Sequence, residues 1–254
     1  MCLILLKHQP ADHYKLILIA NRDEYHQRET LPARYWPQQP HIFGGIDCSG
    51  GGSWLSVDTA GRLAAVTNVR KPPYVENDKK SRGKIVSDFL SHQQSADEFL
   101  NDLTERDSQY GLFNLVLMDK SGLWHYSSDD HQSQKISTGI HGLCNATLDT
   151  PWPKLTSGLS GFKQSLDKEK VIPLELLSVL QSQERPNDKD LPDTGVGLEF
   201  ERFLSSIFIQ GEEYGTRCTT LLTIDDEALQ FLELSYDPIG NITGEVQQQI
   251  ALRS

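Results

Sequence analysis

Two short apolar runs near the start of the chain constrain its fold more than any other feature. CLILLK at residues 2–7 and KLILIA at residues 15–20 are rich in branched side chains, and the segment between them contains Pro10 and Asp12, which suit a turn. We therefore predict an antiparallel hairpin. Because neither run alternates apolar with polar residues, both faces of its sheet are predicted to be covered.

Further along the chain, a strand block gives way to a helical one. A second hairpin is predicted from SWLSV and RLAAVTN, joined by a turn in which Gly61 can take a positive φ at low cost. Apolar side chains then recur at helical spacing over residues 85–90. Ser95 and Glu98 have the spacing of a capping box and predict the start of another helix.

The later blocks repeat this change between strands and helices. FNLVLMD, LWHYS and GLCN predict a meander, and PWPKLTSGLSGFKQSL, PLELLSVLQ and LEFERFLSSIF predict helices. TRCTTLLTID and ALQFLELSY predict a last hairpin, with EVQQQIAL as a final strand. Without a regular βαβ rhythm, the fold class is α+β. The polar segment 184–195 is interpreted as a surface loop of a single domain spanning 1–254, with a domain boundary as the alternative.

The charge balance excludes several protein classes. With 24 Lys and Arg against 35 Asp and Glu, the net charge is −11, which argues against nucleic-acid binding and favours a small-molecule ligand or substrate. No stretch approaches the roughly 20 apolar residues of a membrane helix, and the first residues lack a secretory h-region. We therefore expect a cytoplasmic protein without membrane insertion. The cysteines, which form no C-x-x-C, are expected to be reduced thiols, although their even number permits two disulfides: Cys2, Cys48, Cys144 and Cys218.

Cys2 is the first residue with chemical interest. Removal of Met1 would leave a cysteine with a free α-amine, so that one residue would hold both a nucleophile and a base. The alternative is that Cys2 is a small apolar residue on a buried strand, where free cysteine is common.

The NRDE tetrapeptide, Asn21 to Glu24, crowds four polar groups at the end of the KLILIA strand. Arg22 near the Cys2 thiol would favour the thiolate, and Asp23 could hold the α-amine or fix the arginine. Neighbouring residues of a strand face opposite ways, so Arg22 and Asp23 share one pocket only if the strand ends or bulges between them. The alternative is a surface ion-pair cluster.

Several spaced motifs together resemble the NRDE family, also called transport and Golgi organisation. They are Cys2, NRDE, GGGSWLSVDTAGRLAAVTNVR, SRGKIV, CNATLDTPWPK and YGTRCTTLL, and they cover nearly the whole chain. That family is similar to N-terminal-nucleophile hydrolases. The resemblance therefore implies a four-layer αββα sandwich, with two antiparallel sheets between helical layers.

The resemblance to choloylglycine hydrolases and penicillin V acylases also implies a catalytic set. Cys2 would be the nucleophile, Asn68 an oxyanion-hole donor and Asn145 a second strand-borne asparagine, completed by Arg22, Asp23 and Arg217. Those hydrolases separate the arginine and aspartate that are adjacent here. Each asparagine could instead cap a strand end or a turn. For Arg217 we expect Asp23 or a ligand carboxylate as partner, or else a solvated strand end.

The family-like motifs also supply candidates for ligand binding, which are Asn21, Glu24, Trp54, Trp152 and Tyr214, with core burial as the alternative for the aromatic residues. The glycines of residues 44–52 precede a strand, so they indicate a tight turn or close backbone approach and not a phosphate loop. The histidines show no metal-binding spacing, so no metal or cofactor is expected.

Two functions are compatible with these residues. The first is a cysteine N-terminal-nucleophile hydrolase acting on a linear C–N amide bond, or an acyltransferase, through Cys2. The second is a non-catalytic carrier of haem or of an acyl or lipid-type ligand in the same pocket, which the resemblance also implies.

Overall fold

Two antiparallel sheets form the centre of the protein. The computed structural model describes residues 2–72, 79–167 and 172–252. In spatial order, the strands of the first sheet are Gly139–Leu143 (β10), Cys2–His8 (β1), Leu16–Tyr25 (β2), Tyr214–Ile224 (β11), Ala228–Tyr236 (β12) and Ile242–Ala251 (β13). Those of the second are Thr30–Trp36 (β3), Gln39–Asp47 (β4), Leu55–Asp58 (β5), Leu63–Asn68 (β6), Phe113–Asp119 (β7), Gly122–Ser127 (β8) and Gln132–Lys135 (β9).

The helices lie outside the sheets. They are Gly83–Ser91 (α1), Ala96–Thr104 (α2), Pro153–Leu166 (α3), Pro173–Leu176 (α4) and Leu198–Phe203 (α5), with 3₁₀ turns at Asp107–Gln109, Leu177–Gln181 and Asp188–Asp190. In the described part of the chain, no helix is long and apolar enough to cross a membrane.

Three apolar clusters define the order of the layers. Between the sheets, Leu18 and Leu222 of the first sheet belong to one core with Phe43 and Leu63 of the second. The outer face of the second sheet is covered by α1 and α2, and the outer face of the first sheet by α3 and the segment 176–180. The layers therefore run helix, sheet, sheet, helix, which confirms the predicted four-layer αββα sandwich.

Side-chain alternation decides which residues of the first sheet face the second. Along β2, Leu16, Leu18 and Ala20 lie between the sheets, whereas Ile17 and Ile19 lie under the helices. This period of two is the geometry of an extended strand. It places the even-numbered residues of β2 on the inner face of the first sheet.

The predictions from local sequence are largely confirmed. β1 pairs with β2, β5 with β6 and β11 with β12, and Ser95 and Glu98 form the capping box of α2. Three predictions were wrong. GLCN does not continue the meander, because β10 leaves the second sheet and pairs with β1. The helix predicted over LEFERFLSSIF ends at Phe203, and PLELLSVLQ is mostly a 3₁₀ turn.

The glycine-rich segment before β5 is a close contact between backbones. Gly52 has φ +81°, and a Cβ atom there would lie 2.1 Å from the carbonyl oxygen of Gly83. Only glycine therefore lets this turn lie against the first turn of α1. The contact brings residues 81–84 to the end of the inter-sheet layer.

Candidate functional site

Cys2, Arg22 and Cys218 form a row across the first sheet. Cys2 is paired with Arg22 in the β1–β2 ladder, and Arg22 is paired with Cys218 in the β2–β11 ladder. Directly paired residues point to the same side of a sheet. All three side chains therefore lie on the inner face, at the end of the inter-sheet core.

A cavity of about 650 Å³ opens at this end of the sandwich. Its lining comes from both sheets and from the segment before α1, and it includes Cys2, Arg22, Asp23, Glu24, Trp54, Asn68, Lys79, Lys80, Arg82, Lys84, Arg217, Cys218 and Glu233. The volume is in the range of small-molecule sites. Seven of the residues predicted from sequence therefore border one space.

Arg22 is buried beside the Cys2 thiol. It is 7% exposed, and the distance from its Nη2 to Glu24 Oε2 is 3.9 Å, too long for a hydrogen bond. A buried guanidinium is costly without a hydrogen-bonded partner. Arg22 is thus available for a polar or anionic group of a ligand in the cavity.

Two opposing effects act on the Cys2 thiol. Burial raises the pKa of Cys2, and the charge of Arg22 opposes this effect without reversing it. Burial likewise raises the pKa values of Cys144 and Cys218, and Cys48 alone of the four cysteines is exposed. All four are free thiols. A reaction at Cys2 therefore needs a base to take the thiol proton.

Asp23 lies on the opposite face of β2 from Arg22, as alternation requires. Its Oδ1 accepts a hydrogen bond of 2.7 Å from Thr216 Oγ1, and its carbonyl oxygen accepts one of 2.9 Å from Tyr214. Burial raises the pKa of the Asp23 carboxyl, and the charge of Lys154 opposes that rise. Asp23 still borders the cavity, because it lies beside the end of β1.

The bulge that the sequence argument required is on β11 and not on β2. The β2–β11 register shifts between Thr216 and Cys218, which leaves Arg217 as the extra residue. A bulge locally re-aims side chains. In this case it sends Arg217 toward the turn after β2.

Among the described residues Arg217 makes no ion pair with Asp23, so this one of the alternatives expected for its partner was wrong. One nitrogen of its guanidinium, Nη1, donates to the carbonyl oxygens of Tyr25, His26 and Arg28 at 2.8, 3.1 and 3.1 Å. These carbonyls belong to the end of β2 and the turn that follows it, and they share the two hydrogens that this nitrogen carries. Arg217 therefore holds this turn at the edge of the cavity.

The two candidate asparagines occupy different places. Asn68 ends β6 and lines the cavity. Asn145 is fully buried, and its Nδ2 donates to the carbonyl oxygen of Asn68 at 2.9 Å. Within the described residues, Asn145 Oδ1 has no hydrogen-bond partner. Asn145 therefore acts on the backbone of Asn68 and is not among the residues that line the cavity.

A polar network anchors the loop that carries Asn145. Thr67 Oγ1 donates to the carbonyl oxygen of Cys144, and Asn114 Nδ2 donates to that of Ala146, at 2.9 and 2.7 Å. These bonds join the end of β10 in the first sheet to β6 and β7 in the second. The position of Asn68 is therefore set by contacts between the sheets.

Three of the residues predicted to bind ligand lie away from the cavity. Asn21 faces the helical layer, Tyr214 bonds the Asp23 carbonyl, and Trp152 stacks on the guanidinium of Arg70 at 4.8 Å. Trp54 and Glu24 do border the cavity. Trp152 and Tyr214 are therefore better described as packing residues, which was the alternative to ligand binding.

Some residues at the site were missed by the sequence interpretation. Glu233 is 3% exposed, its Oε1 accepts a hydrogen bond of 2.8 Å from the Ala33 N–H, and burial raises its pKa. The sequence feature that could have indicated Glu233 is a charged residue inside the apolar strand ALQFLELSY. The other omission is the segment 79–84, KKSRGK, which brings four basic side chains to the cavity. Among the described residues, no group of three or more His, Cys, Asp or Glu could hold a metal ion.

Fold and site together define an αββα protein with a cysteine as the first residue of β1, facing a cavity between the sheets. The family model described as Transport and Golgi organisation 2 matches residues 1–238, and the chain belongs to this family. A Transport and Golgi organization protein 2 homolog from Bos taurus is 31% identical over 261 residues, covering 92% of this chain and 93% of that protein. Transport and Golgi organization protein 2 from Drosophila melanogaster is 28% identical, covering 89% of each chain.

Two solved structures are similar at low sequence identity. The Caenorhabditis elegans N-acylethanolamine-hydrolyzing acid amidase ortholog has a TM-score of 0.47 at 10% identity, covering 87% of this chain and 92% of that one. The C2A mutant of conjugated bile acid hydrolase from Clostridium perfringens has a TM-score of 0.45 at 11% identity, covering 100% and 97%.

Proposed function

We propose that this protein is a cysteine N-terminal-nucleophile hydrolase that cleaves a linear C–N amide bond, or transfers the acyl group, through Cys2. One observation carries the proposal. Cys2 heads β1 directly opposite Arg22, and both side chains border the same 650 Å³ cavity. A nucleophile on a rigid strand beside a ligand-sized space is what acyl transfer needs.

The raised pKa of the Cys2 thiol means that the mechanism needs a base, and the α-amine is the group proposed for that role. Once Met1 is removed, the α-amine of Cys2 takes the thiol proton as Sγ attacks the amide carbonyl. Asn68 donates a hydrogen bond to the oxyanion that forms. Collapse breaks the C–N bond, the leaving amine takes the proton from the α-ammonium, and a thioester remains on Cys2. Water then cleaves this thioester, with the α-amine again as base, or another acceptor takes the acyl group.

Intact mass and a panel of acyl amides test this mechanism. We expect the mature protein to lack Met1, and Cys2→Ala to abolish turnover. Asn68→Ala should lower kcat by about 10²–10³ with little change in ligand affinity, because its bond forms in the transition state. Cys48→Ala, which changes an exposed thiol, is the matched control and should keep full activity. A mature protein that retains Met1 would contradict the proposal, because its Cys2 would have no free amine.

The second candidate is a non-catalytic carrier of haem or of an acyl or lipid-type ligand. The electrostatics of the cavity mouth favour it. Lys79, Lys80, Arg82 and Lys84 border the cavity of a chain whose net charge is −11. Lys79 and Lys80 donate to uncharged oxygens of the segment 108–109, so their charges attract a carboxylate or phosphate at the mouth.

Ligand binding without turnover distinguishes the two candidates. Haem and a long-chain acyl-CoA would be titrated into wild type, Cys2→Ala and Asn68→Ala. Binding that survives both substitutions, with no amide cleaved by wild type, favours the carrier. Lys84→Glu should then weaken the binding of either anionic ligand, whereas Lys163→Glu, on α3 and outside the set that lines the cavity, should not.

A further inference from the structure

Lys154 is a buried cation at an electrostatically unfavourable place. It is 5% exposed and lies in the first turn of α3, a turn without acidic residues. The N-terminus of a helix carries a partial positive charge, which disfavours a lysine there. Its Nζ donates to the carbonyl oxygen of Leu204 at 3.1 Å, which satisfies one of the three donors of an ammonium group. A cation held in this way needs a negative charge nearby.

One carboxylate close to Lys154 is already paired with a different cation. Glu201 lies near it beneath α3, but Glu201 Oε2 is 2.8 Å from Arg70 Nη2. Its other oxygen accepts hydrogen bonds from the N–H and the hydroxyl of Thr194. Glu201 is therefore the counter-ion of Arg70. Burial raises the pKa of the nearby Cys144 thiol, so this thiol is a poor counter-ion for Lys154.

Asp23 and Lys154 each hydrogen-bond to a member of one small buried cluster. Leu204, which accepts the lysine's hydrogen bond, packs with Ile209 and Tyr214. Tyr214 donates to the Asp23 carbonyl, and Thr216 joins Ile209 to the Asp23 carboxyl through its hydroxyl. Asp23 is 1% exposed. The charge of Lys154 is the main influence that opposes the effect of burial on the pKa of Asp23.

The register of the sheet places Asp23 beside the start of the chain. Cys2 is paired with Arg22 in an antiparallel ladder, so the backbone nitrogen of Cys2 lies toward Asp23, the next residue of β2. A chain that begins at Cys2 therefore places its α-amine beside the Asp23 carboxyl. Only an ionised Asp23 can accept hydrogen bonds from that amine with both oxygens.

We propose that Lys154 is a positioning residue for the candidate nucleophile: its ammonium keeps Asp23 ionised, and Asp23 in turn holds the α-amine of Cys2. The inference rests on the proposed hydrolase function for the role of the amine. The Lys154–Asp23 coupling itself does not depend on turnover. Lys154 is the last residue of the CNATLDTPWPK motif, and this coupling would give the lysine of that motif a functional role.

Carbon-13 NMR of the aspartate carboxyls, with Asp23→Asn to assign the signal, tests the coupling. We expect Asp23 to be ionised at pH 7 in wild type. Lys154→Met keeps the length of the stem without its charge and should move the Asp23 titration to higher pH, while Lys154→Arg should restore it. Each unit of this shift corresponds to a tenfold change in the acid dissociation constant. A wild-type Asp23 that is protonated at pH 7 overturns the proposal, and this measurement needs no variant of Lys154 that folds.

The pH profile of Cys2 alkylation tests the positioning role. Iodoacetamide labelling would be followed by mass spectrometry, with exposed Cys48 as the internal standard. Lys154→Met should shift the profile of Cys2 but not that of Cys48, and it should have no further effect in an Asp23→Asn background. An equal shift in both backgrounds would overturn the proposal. Retention of Met1, or absence of amide cleavage by wild type, would refute the hydrolase while leaving the NMR result for Lys154 and Asp23 unchanged.

Discussion

Asn21→Leu is the substitution that separates most clearly what the structure shows from what the NRDE motif suggested. Asn21 is fully buried on the outer face of the first sheet. Its Nδ2 donates to the carbonyl oxygens of Leu180 and Ile207 at 2.9 and 3.0 Å, and its Oδ1 accepts from Thr219 at 2.6 Å. The side chain thus fastens two segments of the helical layer to β2. Leucine has a similar volume but makes none of these bonds.

The expected loss is the sum of three buried hydrogen bonds. At about 1 kcal/mol each, Asn21→Leu should lower the free energy of unfolding by about 3 kcal/mol. Because the substitution also leaves two buried carbonyl oxygens without a partner, the loss should be at least this large. For a chain of this size, about 2–4 °C per kcal/mol gives a fall in Tm of about 6–12 °C. Thr219→Val removes one of the three bonds and should cost about 1 kcal/mol.

Urea unfolding and thermal melts followed by circular dichroism measure these losses. Asn68→Ala is the matched control, because Asn68 borders the cavity and ends its strand half-buried. We expect it to change ligand binding or turnover with little change in stability, the reverse of Asn21→Leu. If Asn21→Leu melts within about 2 °C of wild type but no longer responds to ligand, Asn21 faces the ligand and our assignment of it to the helical layer is refuted.

Three further predictions follow from particular groups. Cys48 should be alkylated faster than Cys2 at neutral pH, because Cys48 is exposed whereas burial raises the pKa of Cys2; peptide mapping that finds Cys2 labelled first would contradict this. Arg217→Ala should cost about 2 kcal/mol and Arg217→Lys about half of that, since three turn carbonyls lose their donor, and equal melts for wild type and both variants would place Arg217 in solvent. Burial lowers the pKa of His125 to about 4, so the unfolded chain takes up a proton before the folded one, and stability should fall as the pH drops from about 6.5 toward 4. His125→Gln should flatten this part of the stability profile, and an unchanged profile would contradict the assignment.

The elements that the sequence predicted correctly are those with local signals. The Ser95 and Glu98 capping box and the turn at Gly61 are each defined by residues a few positions apart. The strand Gly139–Leu143 was misplaced because its partner, β1, is more than 130 residues away. Its short apolar pattern fits the edge of either sheet equally well. Sheet membership is therefore a tertiary property that the local pattern does not contain.

The sequence predicted several of the residues that form the candidate site, but not the contacts that they make. The motifs led to Cys2, Arg22 and Asn68, which the cavity does bring together. They did not reveal that the Arg217 guanidinium serves backbone carbonyls, because a bulge between two ladder pairs has no sequence signal here. Nor did they show that Asn145 bonds the Asn68 carbonyl, which depends on the approach of the two sheets.

The cavity begins where the inner face of one strand changes from apolar to charged. Along β2 the same face carries Leu16, Leu18 and Ala20 into the core and then Arg22 and Glu24 into the cavity. The other face carries the remaining two residues of the tetrapeptide beneath the helices. Because the side-chain period is two, one residue inserted directly before Asn21 would exchange the two faces and turn Asn21 and Asp23, instead of Arg22 and Glu24, to the inner side. Alternation thus gives the tetrapeptide different contacts on its two faces: Arg22 and Glu24 face the cavity, Asn21 bonds the helical layer, and Asp23 bonds β11 while it also borders the cavity.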